Sequence, residues 1–135
     1  MREILFRGKT KDGDWVEGDL VRIKDGDIVT PYIYYHGEVI KQTVGQYTGL
    51  TDKNGTKIFE GDIVVTRYTN GKICSIGDIK FDCGVFGAEW TVHKKHKTLV
   101  GAWGQLHNLR RLDDDVINHI EVIGNIHDNP EFLTE

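Results

Sequence analysis

The segment that most restricts what this chain can fold into is residues 46–64, where Asn54-Gly55 sits between two runs of β-type residues. Both residues accept positive φ at little cost, so the pair marks a hairpin tip. Two registers are open. A two-residue type I′ loop pairs Leu50 with Phe59 and Asp52 with Lys57, one apolar and one opposite-charge pair. A three-residue loop with Gly55 as a left-handed bulge pairs Leu50 with Ile58 instead. The bulge is favoured, because Asp52 then caps the turn with its own side chain while Lys53 and Asn54 keep ordinary turn angles. Glu60-Gly61 reads as a second turn, and Asp62-Ile63-Val64-Val65 as the start of a buried strand.

The same device occurs earlier in the chain. Lys11-Asp12-Gly13 followed by Trp15-Val16-Glu17-Gly18-Asp19-Leu20-Val21 echoes Lys53-Asn54-Gly55 followed by Ile58-Phe59-Glu60-Gly61-Asp62-Ile63-Val64, with one residue of slack. Two copies fall short of the three or so stacked units that a solenoid needs, so the pattern is a strand-turn-strand solution used twice.

At 135 residues the chain fits a single domain, with two small β lobes joined near residues 36–45 as the alternative organisation. No apolar run approaches the ~18 to 20 residues of a membrane span, and residues 1–8 lack the apolar core of a signal peptide, so a cytoplasmic protein without membrane contact is expected. Cys74 and Cys83 agree with a reducing compartment. The net charge of −4 opposes a polyanionic partner. His93-Lys94-Lys95-His96-Lys97 and Arg110-Arg111 are local basic exceptions, and both read better as solvated edges or loops than as phosphate sites.

Sixteen glycines against two prolines indicate many tight turns. Strands are expected over residues 3–7, 15–23, 27–35, 38–47, 62–68, 72–82, 85–92 and 116–126, with turns at Lys24 to Gly26, His36-Gly37, Asn70-Gly71 and Cys83-Gly84. Ile76-Gly77 suggests a bulge or bend, and residues 98–105 fit either a strand or an ordered loop. Residues 106–112 form the one expected helix, since Leu106, Leu109 and Leu112 share a helical face. Asn129-Pro130 closes the domain ahead of a frayed tail. Many short strands with so little helix predict a mainly β, compact, multi-hairpin barrel or pseudo-barrel.

Four blocks carry a family resemblance: Arg2-Glu3-Ile4-Leu5-Phe6-Arg7-Gly8, Trp15-Val16-Glu17-Gly18-Asp19-Leu20, residues 46–64, and Ile120-Glu121-Val122-Ile123-Gly124-Asn125-Ile126-His127-Asp128-Asn129-Pro130. In this order they resemble the YopX family of phage and prophage proteins, over nearly the whole chain. The middle, residues 66–115, carries no matching motif. The resemblance implies a small, mainly β, cytoplasmic protein of a phage or prophage, and supplies no activity and no catalytic residues. Its motif positions read equally well as architecture. Asp52, Asn54-Gly55, Glu60-Gly61, Asp62 and Gly124-Asn125 serve turns, while Ile58, Ile63, Val122 and Ile123 serve the core.

Three chemistries compete on the remaining residues. Cys74, Cys83, His93 and His96 lack the close ligand pairs of structural zinc, and His93 and His96 alternate across a strand if they share one, so no metal or other cofactor is expected. Glu17, Asp19, Glu60 and Asp62 occupy equivalent places in the repeated unit and would converge on a divalent cation or a sugar if the two units faced each other, but turn-capping is the stronger reading. Nucleophilic catalysis has least support, because Ser75 is the one serine and no phosphate-cradling glycine loop opens a helix. Trp15 reads as core. Trp90 and Trp103 flank a polar, glycine-rich segment, and with Lys94, Lys95, Arg110 and Arg111 they are the expected partner contacts, with packing beneath a loop as the competing reading for both tryptophans.

The function expected from these residues is a phage accessory protein acting through protein contacts, with itself or with a host or phage protein, and without catalysis. A nucleic-acid-associated small β-barrel factor is the alternative, and a carboxylate-dependent enzyme or divalent-cation binder the third.

Overall fold

A computed structural model of the chain describes residues 3–82, 85–93, 96–99, 104–105 and 120–133. Among them the structure is mainly β, as expected, with two single turns of 3₁₀ helix. The strands form three antiparallel sheets, and no closed barrel is present among the described residues. The helix expected over residues 106–112 lies outside the described residues. The chain divides into two compact units, Met1–Gly49 and Leu50–Glu135.

In the first unit, β1 (Phe6–Lys9) pairs with β2 (Trp15–Gly18). Their connection has the Asp52-type turn geometry in outline, since Thr10 N donates to Asp14 O at 2.8 Å and Gly13 N to Thr10 O at 3.0 Å. The strand expected over residues 15–23 breaks at Asp19, where β3 (Leu20–Asp25) begins. It pairs along its whole length with β4 (Ile28–Ile33), from Leu20↔Ile33 to Asp25↔Ile28, so the turn is Gly26-Asp27. β4 also pairs with β5 (Gly37–Glu38) and is the central strand of three. A proline in a central strand normally removes a ladder bond. Pro31 escapes this because Val39 N donates to Pro31 O at 3.1 Å, which puts its peptide edge on the side of the two-residue β5.

The expected strand over residues 38–47 is instead interrupted by a 3₁₀ turn at Lys41–Thr43. Thr43 explains the interruption: its Oγ1 donates to Ile40 O at 2.6 Å and accepts from Lys9 N at 2.8 Å, bonds that an extended backbone would forgo. β6 (Gly45–Thr51) then pairs with β1 at its start, through Phe6↔Gln46 and Arg7↔Gly45.

In the second unit, the end of β6 and β7 (Lys57–Phe59) form the hairpin announced by Asn54-Gly55. Asp52 N donates to Thr56 O at 2.8 Å and Gly55 N to Asp52 O at 3.0 Å, with Gly55 at φ +81°. This is the bulged three-residue loop, and carrying its register outward sets Leu50 against Ile58, both buried. Asn70-Gly71 repeats it between β8 (Asp62–Arg67) and β9 (Ile73–Asp82), with Tyr68 N to Lys72 O at 2.8 Å and Gly71 N to Tyr68 O at 2.9 Å.

The main sheet of this unit runs β11-β10-β9-β8-β13, where β10 is Val85–His93, β11 His96–Leu99 and β13 Glu121–Asn125; β12 (Gly104–Gln105) also pairs with β10. One face carries Val64, Ile79, Phe86 and Ala88 into a core completed by Leu50, Ile58 and Ile120. Ile63 and Val65 point to the other face by strand alternation and are also fully buried, which is why β8 reads as a continuous apolar run. The bulge expected at Ile76-Gly77 lies elsewhere. Thr66 faces Ser75 and Arg67 faces Ile73, so the extra residue is Cys74. Gly77 is an ordinary strand residue required by close approach, because a Cβ there would stand 2.5 Å from Glu89 O.

Two further expectations are corrected at the C-terminal end. Gly124-Asn125 closes β13, and the turn follows it, with Asn125 Oδ1 accepting His127 N at 3.0 Å and Asp128 N at 2.9 Å. Residues beyond Asn129 form a second 3₁₀ turn, Pro130–Leu133, with Phe132 N bonded to Asn129 O at 3.1 Å, where a frayed tail was expected.

Candidate interaction surface

Alternation along the β3–β4 hairpin sorts its side chains into two sets. Leu20, Arg22, Lys24, Val29, Pro31 and Ile33 share one face, of which Ile33 and Pro31 are buried. Val21, Ile23, Asp25, Ile28, Thr30 and Tyr32 share the other. Continuing past the strand end, Tyr34 joins this second face, since Tyr34 N donates to Asp19 O at 2.9 Å in the same register. An alternating strand normally turns its apolar set inward. Here the apolar set is outward: Ile28 is 68 % exposed, Ile23 50 %, Tyr34 55 %, and Val21 is exposed as well. Contiguous exposed apolar rows are characteristic of interaction surfaces.

The row ends in a strained turn. His36 N donates to Ile33 O at 2.9 Å, making Tyr34 and Tyr35 the central residues of the turn that the sequence placed at His36-Gly37. Tyr35 sits at φ +71°, the one described non-glycine residue at positive φ. The third position of such a turn favours glycine or asparagine, and an aromatic residue there carries backbone strain. The residue is 89 % exposed, and its ring lies tilted against that of Tyr34, with centroids 4.3 Å apart and 50° between the ring planes. A strained backbone that holds two tyrosines in solvent has no packing reason within the hairpin, and such outliers concentrate at functional positions.

The residues singled out from the sequence are distributed differently. Trp90 is half-buried and packs against the core of the second unit. Trp103, Lys94, Lys95, Arg110 and Arg111 lie outside the described residues, as does Cys83. Cys74 is a free, half-buried thiol at the bulge. His93 and His96 do not share a strand; they are register partners of β10 and β11. Glu17 and Asp19 are exposed, Glu60 is half-buried, and Asp62 is buried with Oδ2 accepting Phe59 N at 2.7 Å. Among the described residues no three His, Cys, Asp or Glu side chains lie close enough to hold a metal ion.

The carboxylate with most structural work is Asp52. Its Oδ1 accepts Asn54 N at 2.8 Å and Thr56 N at 2.9 Å, and its Oδ2 accepts Val122 N at 2.9 Å. One side chain thus fixes the hairpin tip and ties it to β13, which accounts for its burial. A second charged group sits on β9 and β10. Asp78 and Glu89 are register partners, and Lys80 bridges them, bonded to Glu89 and 3.9 Å from Asp78 Oδ2. Burial pushes the Asp78 carboxyl above its ordinary range, and the neighbouring Glu89 adds to this while Lys80 opposes it.

The description of the YopX protein family matches residues 5–134. The chain belongs to the YopX family. Among solved structures, this YopX chain is similar to the crystal structure of protein EF1440 from Enterococcus faecalis, with a TM-score of 0.55 and 24% identity over 98% of this chain and 99% of that one. The likeness shows a shared fold. No curated protein matches the chain. The β3–β4 face is the feature that sequence reading of this YopX chain missed. The signal was present in Val21-Arg22-Ile23-Lys24, but the same alternation describes a half-buried strand, and only the side on which neighbours pack distinguishes the two.

No described helix is long and apolar enough to cross a membrane.

Proposed function

We propose that this YopX-family chain is a phage or prophage accessory protein that acts in the bacterial cytoplasm through protein contacts, without catalysis. The observation that carries the reading is the outward apolar row from Ile28 to Tyr34, capped by the strained, exposed Tyr35. Tyrosine supplies large contact area at small entropy cost, and a ring held out by the backbone loses little freedom on binding.

Tyr35→Gly separates function from stability. Glycine relieves the positive φ, so the variant is expected to match or exceed the wild-type fold stability, by up to about 1 kcal/mol. The tagged chain is used as bait in a bacterial host lysate, with and without nuclease. Wild type is expected to capture protein in both conditions, and Tyr35→Gly and Ile23→Asp/Ile28→Asp to lose it. Equal capture by the folded variants overturns the assignment of this face, and capture abolished by nuclease transfers the reading to nucleic acid.

A further inference from the structure

β3 is an edge strand, and its open edge has a readable hydrogen-bond code. Tyr34 N bonded to Asp19 O fixes the phase of the β3–β4 ladder, so Val21, Ile23 and Asp25 exchange their backbone bonds with β4. Leu20, Arg22 and Lys24 therefore turn their N–H and C=O groups away from β4, along an edge that carries no paired strand in its sheet. Every residue of β3 after Leu20 is exposed. Arg22 and Lys24 have no ion-pair partner among the described residues.

A second copy of this chain is a poor occupant of that edge. Symmetric antiparallel pairing requires partner numbers with an even sum, and the two registers that overlap β3 most set Arg22 against Arg22 or Arg22 against Lys24. Each places like charges opposite one another, the usual way in which an edge is protected from its own kind. The same two cations favour a strand of opposite charge.

Resting on the interaction reading above, we propose that β3 takes up an extended segment of a partner protein in which apolar and acidic residues alternate. Its backbone bonds to Leu20, Arg22 and Lys24. Its acidic side chains then lie beside Arg22 and Lys24, and its apolar side chains lie beside Val21 and Ile23 at the closer, non-hydrogen-bonded positions. The added strand widens the outward apolar row, so the edge and the face form one site.

A short fluorescent peptide alternating Val with Glu tests this against the intact chain. It is expected to bind more weakly as salt rises, while a Val–Lys peptide of equal length does not bind. Arg22→Glu/Lys24→Glu is expected to weaken binding on the order of tenfold or more. Arg22→Ala removes one charge; Arg22→Pro removes the charge and also an outward N–H that β4 does not use, so it is expected to bind more weakly than Arg22→Ala with an unchanged fold by circular dichroism. Equal binding of the Val–Lys peptide, or equal binding by Arg22→Pro and Arg22→Ala, overturns strand addition. Capture of partners through Tyr35 by a chain that ignores the Val–Glu peptide overturns it too, and leaves the interaction reading standing.

Discussion

Asp52 shows how far a single side chain is legible from sequence. Its bonds to Asn54 N and Thr56 N follow from turn chemistry within four residues, and the bulged register was readable for that reason. Its bond to Val122 N was not, because a contact across 70 residues leaves no local trace. The two other notable carboxylates titrate with opposite consequences. Asp78 has its folded pKa raised by burial, so its ionisation is a cost that is absent below the ordinary carboxylate range and grows as pH rises through that range to the folded value. Asp78→Asn is therefore expected to be more stable than wild type at neutral pH, with the gap closing in acid. Glu121 is held low by hydrogen bonds from Arg67 and then Lys53, so its contribution is present above the ordinary range and lost as pH falls through it. Glu121→Gln is expected to be less stable at neutral pH, by under ~1 kcal/mol for a pair this close to solvent, again with the gap closing in acid. Denaturant melts of both variants across pH check the signs, and two gaps of the same sign refute the assignment.

At the level of strands and turns, hairpin tips were the readable part, since Asn54-Gly55 and Asn70-Gly71 specify their own geometry. Errors arose where a residue answers to a distant neighbour. Thr43 bends the chain into a 3₁₀ turn through a bond from Lys9, and the bulge falls at Cys74 because β8, not β9 alone, sets the register. Gly77 looked like a bend for the same reason. Its role is the near contact between β9 and β10, where a methyl group meets the Glu89 carbonyl at 2.5 Å and the Trp90 Cα at 3.1 Å. Gly77→Ala is expected to destabilise the fold by about 1–3 kcal/mol, because backbone on both sides has to move. A thermal melt indistinguishable from wild type contradicts this packing role. The β3–β4 face was missed for another reason, since the outward sense of its alternation depends on what packs against the opposite face.

For the molecule as a whole, a net charge of −4 works against nucleic-acid binding. Generic duplex DNA is expected to show no binding by fluorescence anisotropy at physiological salt, and submicromolar affinity with a steep inverse salt dependence refutes that expectation. The mainly β class and the family were legible across the chain, whereas the exposed β3–β4 face was not. The sheet order of the second unit also bears on biosynthesis. β8 lies between β9 and β13, yet β9 follows it within a few residues while β13 begins only at Glu121. Until then the nascent chain carries Ile63, Val64 and Val65 on a strand with one side unpaired. The ribosome thus releases a buried apolar strand long before the strand that seals it, and the interval between the two is when a chaperone has something to hold.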